Sequence, residues 1–401
     1  MPGRFGLSLL RREFLAIFQT QLNFRVTTGI RLFHDMRITS RGRDGLALSI
    51  DQFPLNLSYF WLRDHCRCSH CYNHTTFQRS QDLTQLPAGL APKEAIISSD
   101  GKLQLTWPDG HLSEFDSEWL ISVFRRKPRV KKSLWKGTDM EILGMPRAEF
   151  SQVLSSDEIL AETMRSLISH GLISITDTPV TEAATKQICE RFSLVEKSVF
   201  GEVCTVTSEV LDHADTAYSK EPIGAHTDTT YYFYSKGFEA FHCLKEGDSG
   251  GDNYFVDGFV AAEALRQKSP EHFEILCSRN IPWEYIDSQT GTHLRAMAPV
   301  IRLAPDDAVE QVRFNIYDRG PLHYTDIDEV NRYYQALLAF AWEIKNPDGE
   351  YWTRLAPGTV VIFDNWRVLH ARTGFRGKRI MSSCYLSRDD FFSRARVLGV
   401  V

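Results

Sequence analysis

Apolar and polar positions alternate over short stretches before residue 125 and again after residue 200, with helical spacing between them. In KLQLTWPDGH (102–111), Leu103, Leu105 and Trp107 alternate with polar neighbours, and Pro108-Asp109-Gly110 follows as a turn. The period then changes. Ser155 and Glu158 have capping-box spacing ahead of Ile159, Leu160, Met164, Leu167 and Ile168, and Gly171 closes that helix. Ala184, Ile188, Phe192 and Val195 recur at spacings of four, four and three in a second helix. Farther on, Val312, Phe314 and Ile316 alternate with Arg313, Asn315 and Tyr317, and TVVIFDNW (359–366) reads as a buried strand after a Pro357-Gly358 turn. One long helix, opened by Thr325, carries Val330, Tyr334, Leu337, Leu338 and Ala341 on one side. Many strands, a few packing helices and no regular βαβ rhythm point to a mainly β, α+β chain built on an antiparallel roll rather than a Rossmann sheet.

Composition changes this picture at the amino end. The first fifty residues hold eight arginines, no lysine and three acids, with Leu7, Leu10, Phe14 and Phe18 at helical spacing. Such an Arg-rich, acid-poor amphipathic start is the pattern of a mitochondrial presequence and predicts a matrix location, the competing reading being a basic helix on a cytosolic protein. RRKPRVKK (125–132) sets six basic residues around a proline, read as a solvated connection. The expected organisation is a basic segment over 1–45, a small β-rich domain over 46–130 and a catalytic domain over 131–401. A net charge of −5 gives no reason to expect nucleic acid, and no apolar run approaches the ~20 residues of a membrane span, so a soluble protein is expected. Eight cysteines in 401 residues are too few for a disulfide scaffold.

Three of those cysteines fall together. Cys66-Arg-Cys68-Ser-His-Cys71 places three thiolates on one short loop, and His111 on the TWPDGH turn makes the expected fourth ligand of a structural zinc, the competing reading being reduced, unligated cysteines with His65, His70 or His74 as accidental neighbours. A second constellation has a different donor chemistry. His226-Thr227-Asp228 offers an imidazole and a carboxylate two residues apart, which an extended strand projects from one face. His370, in FDNWRVLHAR just past the buried strand, completes two histidines and one carboxylate. That set leaves open positions on Fe(II), the arrangement of non-heme oxygenases. Arg379, nine residues on, presents a guanidinium fork suited to a 2-oxoglutarate carboxylate, and Arg367, Arg372 and Arg376 are assigned to surface or interdomain ion pairs.

At these motifs the chain resembles the γ-butyrobetaine/trimethyllysine dioxygenase family of carnitine biosynthesis. The resemblance runs through WLRDHCRCSHCYN (61–73), TWPDGH (106–111), DTAYS (215–219), HTDTTYY (226–232), HCLKEG (242–247), VDGF (256–259), YDRG (317–320), FDNWRVLHAR (363–372) and CYLSRDDFFSRARVLG (384–399). DTAYS, HTDTTYY, YDRG and the SRDD tail resemble the trimethyllysine branch more than the other.

The resemblance implies a double-stranded β-helix (jelly-roll) catalytic domain, a zinc-type N-terminal domain, a homodimer, and Fe(II) and 2-oxoglutarate used with ascorbate and O₂. It places His226, Asp228 and His370 on iron, Arg379 and Asn253 on the cosubstrate, and Cys66, Cys68, Cys71 and His111 on zinc. For a quaternary-amine amino acid it implies a cage including Tyr218, Phe200 and Tyr385. Cys204 stands where the family has Trp, a loss of about 0.5–2 kcal/mol of cation–π attraction, for which Tyr231, Tyr232 and Tyr234 are candidate compensators. Asp215 is the candidate partner of a substrate α-ammonium, with Asn315 a candidate for the carboxylate end. The expected reaction is 3-hydroxylation of N6,N6,N6-trimethyllysine. Hydroxylation of γ-butyrobetaine to carnitine is the alternative, and a non-catalytic methyl-lysine-binding module is a more distant one.

Overall fold

The computed structural model describes residues 34–125, 130–207 and 216–401. The amphipathic start, Asp215 and part of the basic tract lie outside the described residues. The chain divides into two compact units at about residue 128.

The first unit holds two three-stranded antiparallel sheets, Met36–Arg41/Gly45–Ile50/Phe53–Ser58 and Glu94–Ile97/Leu103–Thr106/Leu112–Phe115. Alternation works as written in the sequence: Leu103, Leu105 and Trp107 are fully buried, and the Trp107 indole N–H donates to Ser113 Oγ at 2.9 Å. The turn after Trp107 closes with Gly110 N donating to Trp107 O at 3.0 Å. Gly110 adopts φ +84°, which a side chain would disfavour. His111 is thereby carried to the turn's far end, its backbone N–H bound to Asp109 Oδ1.

In the second unit a large sheet has the order Val195–Glu196, Ile380–Leu386, Phe238–Lys245, Val360–Asp364, Leu172–Thr176, Arg147–Glu149, with Cys204–Thr207 also paired to Ile380–Leu386. A smaller antiparallel sheet has the order Ile223–His226, Val368–Arg372, Asn253–Asp257, Glu350–Thr353. One short connection, Asn365–Arg367, carries the chain from the large sheet into the small one. This is the jelly roll. Val360–Asp364 is buried at every position because Val360 and Ile362 pack beneath helices while Val361 and Phe363 face Phe255 and Val368 inside the roll.

Some expectations shift. Ser156, not Ser155, caps the helix Asp157–His170 by accepting from Ile159 N, and Gly171 closes it in the left-handed conformation. Val195 lies beyond the helix Glu182–Phe192, on a short strand against Leu386. The long helix is capped by Asp326 and buries Tyr333, Ala336, Leu337, Phe340 and Ile344. Tyr334 and Leu338 are 48% and 58% exposed, so the inner face is rotated from the expected one, toward the neighbouring helices Gly258–Lys268 and Pro270–Ser278. The strand expected over 312–317 ends at Val312. Arg313 turns inward to the carbonyls of Thr230, Tyr232 and Phe233, and Ile316 is exposed.

Arg367 and Arg372 are not surface residues. Arg367 is fully buried, bonding both oxygens of Asp257 at 3.1 and 2.7 Å and the carbonyls of Ser169 and Ser133. Asp257 in turn caps the helix Gly258–Lys268. Arg372 bonds the carbonyls of Thr216, Ser219 and Glu221. Breaking the Arg367–Asp257 pair strands a buried carboxylate. Arg367→Met is therefore expected to lower unfolding stability by about 3–5 kcal/mol, measured by urea denaturation of the whole chain.

Candidate active site

The two histidines are brought together by strand register. His226, the last residue of Ile223–His226, pairs directly with His370 in the middle of Val368–Arg372, and their ring centroids are 4.2 Å apart. His370 thus lies within a strand of its own rather than just past one. The H-x-D pair is also not extended: the chain leaves the sheet after His226. Thr227 exchanges hydrogen bonds with Phe314. Asp228 N donates to Asn365 Oδ1 at 2.8 Å, and Asn365 Nδ2 donates to the carbonyls of Asp228 and Lys236 at 3.0 Å. That clamp turns the Asp228 carboxylate back toward the imidazoles. Its Oδ1 lies 3.1 Å from His226 Nε2 and 3.7 Å from His370 Nε2, and its Oδ2 accepts from Tyr385 OH at 2.6 Å.

The electrostatics follow from burial. Burial alone would raise the Asp228 carboxyl, but hydrogen bonds from His226 and Tyr385 and the nearby His370 hold it far below the usual carboxylate range. His370 is pushed down to about 3 by burial and by His226, leaving a neutral imidazole with a free lone pair. Burial pulls His226 down, but the hydrogen bond to and charge of Asp228, with the Gly224 carbonyl and the Asp318 charge, together raise it. Burial and the Asp228 charge push the Glu239 carboxyl well above its ordinary range. Two imidazoles and one carboxylate, with ligand atoms all within 4.8 Å of one another, form a donor set that fits Fe(II).

Beside the triad is a cavity lined by His226, His370, Asn253, Arg379, Phe241 and Met381 among others. Arg379 is 8% exposed and pairs with no carboxylate among the described residues. A buried guanidinium without a counter-ion is unfavourable, so the cavity is built for an anion. Asn253 Oδ1 accepts from Arg379 Nη2 at 3.1 Å, so this amide orients the arginine.

The candidate cage residues Tyr218, Phe200 and Tyr385 are not among those lining this cavity. Tyr218 is buried, with its hydroxyl 2.9 Å from Cys204 Sγ. Phe200 meets Tyr285 edge-on at 5.9 Å, and Tyr231 stacks on the same ring at 4.8 Å. Tyr232 lies 5.4 Å from Tyr231, whereas Tyr234 is exposed beside Trp366. Tyr385 spends its hydroxyl on Asp228. Asn315 has both ends of its amide engaged, donating to Asp318 Oδ2 at 2.7 Å and accepting from Tyr317 N at 2.9 Å. Asn365, Glu239 and Phe241 were not anticipated. Glu239 had a readable signal, an acid in the otherwise apolar run GFEAF.

In the first unit, His111 Nε2 lies 3.2, 3.8 and 3.6 Å from the sulfurs of Cys66, Cys68 and Cys71. The four ligand atoms lie within 4.8 Å of one another. Burial pushes the Cys66 thiol up to about 11, whereas at Cys68 the backbone N–H groups of Cys71 and His70 outweigh burial and lower it. His65 and His74 bond the carbonyls of Trp61 and Arg67 instead.

This roll, with its triad and unpaired arginine, defines an Fe(II)- and 2-oxoglutarate-dependent dioxygenase. The chain belongs to the taurine catabolism dioxygenase TauD, TfdA family, whose model matches residues 137–385. The gamma-butyrobetaine hydroxylase-like N-terminal model matches residues 43–121. Among its relatives is the trimethyllysine dioxygenase, mitochondrial, of Mus musculus, 36% identical over 99% of this chain and 95% of the relative. The Homo sapiens protein of that name is 36% identical over 89% of this chain and 86% of its own length. The gamma-butyrobetaine dioxygenase of Pseudomonas sp. (strain AK-1) is 31% identical over 84% of this chain and 89% of its own.

If the Arg379 guanidinium receives an anionic cosubstrate, Arg379→Met removes one partner of a buried charge pair. The half-saturating 2-oxoglutarate concentration is expected to rise roughly 30-fold or more, the factor that ~2 kcal/mol represents. Steady-state turnover across 2-oxoglutarate concentrations measures it, and an unchanged value would contradict the assignment.

Proposed function

We propose that this protein hydroxylates C3 of N6,N6,N6-trimethyllysine, consuming O₂ and 2-oxoglutarate and releasing succinate and CO₂. The observation that carries this reading is the convergence of His226, Asp228 and His370 beside a cavity lined by both histidines and the buried Arg379. The relatives named for trimethyllysine support the substrate. Bound iron supplies the O₂ activation coupled to oxidative decarboxylation, placing one oxygen atom in succinate and the other in the new hydroxyl. The residues supply the geometry. His226, Asp228 and His370 would hold Fe(II), Tyr385 steadies the Asp228 carboxylate, and Arg379, oriented by Asn253, would clamp the distal carboxylate of 2-oxoglutarate.

A trimethylammonium group donates no hydrogen bond, so ring faces and apolar contact must receive it, and Tyr218 and Phe200 are assigned to that task. Asp215 is assigned to the substrate's α-ammonium and Asn315 to its carboxylate end. Ascorbate keeps the iron reduced. In the first unit Cys66, Cys68, Cys71 and His111 are assigned to a zinc ion that staples the fold and does no chemistry. The Arg-rich start and the relatives' mitochondrial names support a matrix location, and the family resemblance supports a homodimer.

The second reading is γ-butyrobetaine hydroxylation, favoured by the Pseudomonas relative. Incubating the full chain with each amine, Fe(II), ascorbate and 2-oxoglutarate separates the two by mass spectrometry. Trimethyllysine is expected to be the better substrate; preference for γ-butyrobetaine would reverse the assignment. Asp215→Asn is expected to reduce kcat/KM for trimethyllysine by roughly 10- to 100-fold, the range for losing a hydrogen bond to a charged group, and that for γ-butyrobetaine far less. Equal losses on both amines would count against Asp215. For zinc, metal analysis of Cys68→Ser should find roughly one fewer ion per chain, and unchanged content would refute the assignment.

A further inference from the structure

Two of the three proposed iron ligands have evident partners that fix their orientation. His226 Nδ1 lies 2.8 Å from Gly224 O, and Asp228 Oδ2 is held by Tyr385. His370 Nδ1 is buried and has no hydrogen-bond partner among the described residues. Glu239 Oε2, likewise without a hydrogen-bond partner among the described residues, lies 4.0 Å from it, and the Asp228 carboxylate is another polar group close to Glu239.

Glu239 stands on the strand Phe238–Lys245. Its sequence neighbours Phe238 and Ala240 pack beneath the outer helices, so alternation points Glu239 into the roll. Its cross-strand neighbours are Tyr385 and Phe363. The side chain is 1% exposed, and Oε1 accepts from Ser383 Oγ at 3.3 Å. An acid in that position is unfavourable unless its remaining oxygen is used. An imidazole that gives Nε2 to a metal carries its proton on Nδ1 and needs an acceptor there. Phe241 and Phe363 flank the His370 ring at 5.1 and 5.0 Å and offer none. A carboxyl group presents an acceptor lone pair in either protonation state.

We propose that Glu239 is a positioning residue that accepts the Nδ1–H of His370, fixing the tautomer and ring plane that present Nε2 to Fe(II). The two orphaned atoms satisfy each other through a closure of about 1 Å, to ordinary hydrogen-bond length. Tyr385 and Glu239, neighbours across one strand pair, then brace two ligands from behind. The inference rests on the iron reading of the triad and deepens it.

Its test is an anaerobic Fe(II) titration of the wild type, Glu239→Gln and Glu239→Leu at saturating 2-oxoglutarate. The visible charge-transfer absorption of the complex is followed, and apo-protein unfolding is measured alongside. Glu239→Leu is expected to weaken Fe(II) binding about 10- to 100-fold without destabilising the apo-protein, and Glu239→Gln, which keeps an acceptor oxygen, to recover most of the affinity. If the leucine variant lacks a cooperative unfolding transition, Glu239→Ala takes its place. Equal affinity in the wild type and the apolar variant overturns the proposal, as does equal weakening by glutamine. Failure of the wild type to bind Fe(II) would instead overturn the iron reading itself.

Discussion

The cross-strand pairing of His226 with His370 is the constraint on which the rest of the structure depends. Antiparallel register sets two imidazoles side by side, and a slip of one residue would send one of them to the opposite face of the sheet. That register is held from outside the site. The connection feeding the His370 strand is pinned by Arg367 on Asp257, and within the same connection Asn365 clamps the turn that delivers Asp228. One short connection between two sheets therefore positions both a histidine ligand and the carboxylate, although they are far apart in the chain.

Charge then completes the site. A roll packed with Phe241, Phe255, Phe363 and Met381 excludes water, so each buried ionic group is exposed to a low effective dielectric. Asp228 keeps its charge because two imidazoles and a phenol face it, whereas Arg379 is buried with no carboxylate paired to it among the described residues. The chain thus sets two imidazoles and a carboxylate that could hold a metal beside a cavity lined by a buried arginine. A dicarboxylate that chelates a metal at one end satisfies both, which connects the packing of the roll to the chemistry of its family.

Much of this was legible in the sequence, and what was not has identifiable causes. Val360–Asp364 was readable because a strand covered on both faces carries an unbroken apolar run, and Leu103, Leu105 and Trp107 because their sheet is covered on one. Adjacent serines at 155 and 156 both satisfy a cap pattern, so periodicity could not choose between them. The long helix has tandem aromatics, Tyr333 and Tyr334, and only its tertiary neighbours decide which one turns inward. Within the site, the residue types that bind metals stand out by themselves. The partners that orient them do not: Asn365 clamps Asp228 across 137 positions, and Glu239 meets His370 only because two sheets face each other.

The most direct test of the central claim is an anaerobic crystal structure of the full chain with Fe(II) and 2-oxoglutarate, with diffraction recorded on either side of the iron absorption edge. The account predicts an anomalous peak bonded to His226 Nε2, Asp228 Oδ1 and His370 Nε2, with a cosubstrate carboxylate seated on the Arg379 guanidinium. An iron peak elsewhere, or a 2-oxoglutarate whose distal carboxylate avoids Arg379, would contradict it.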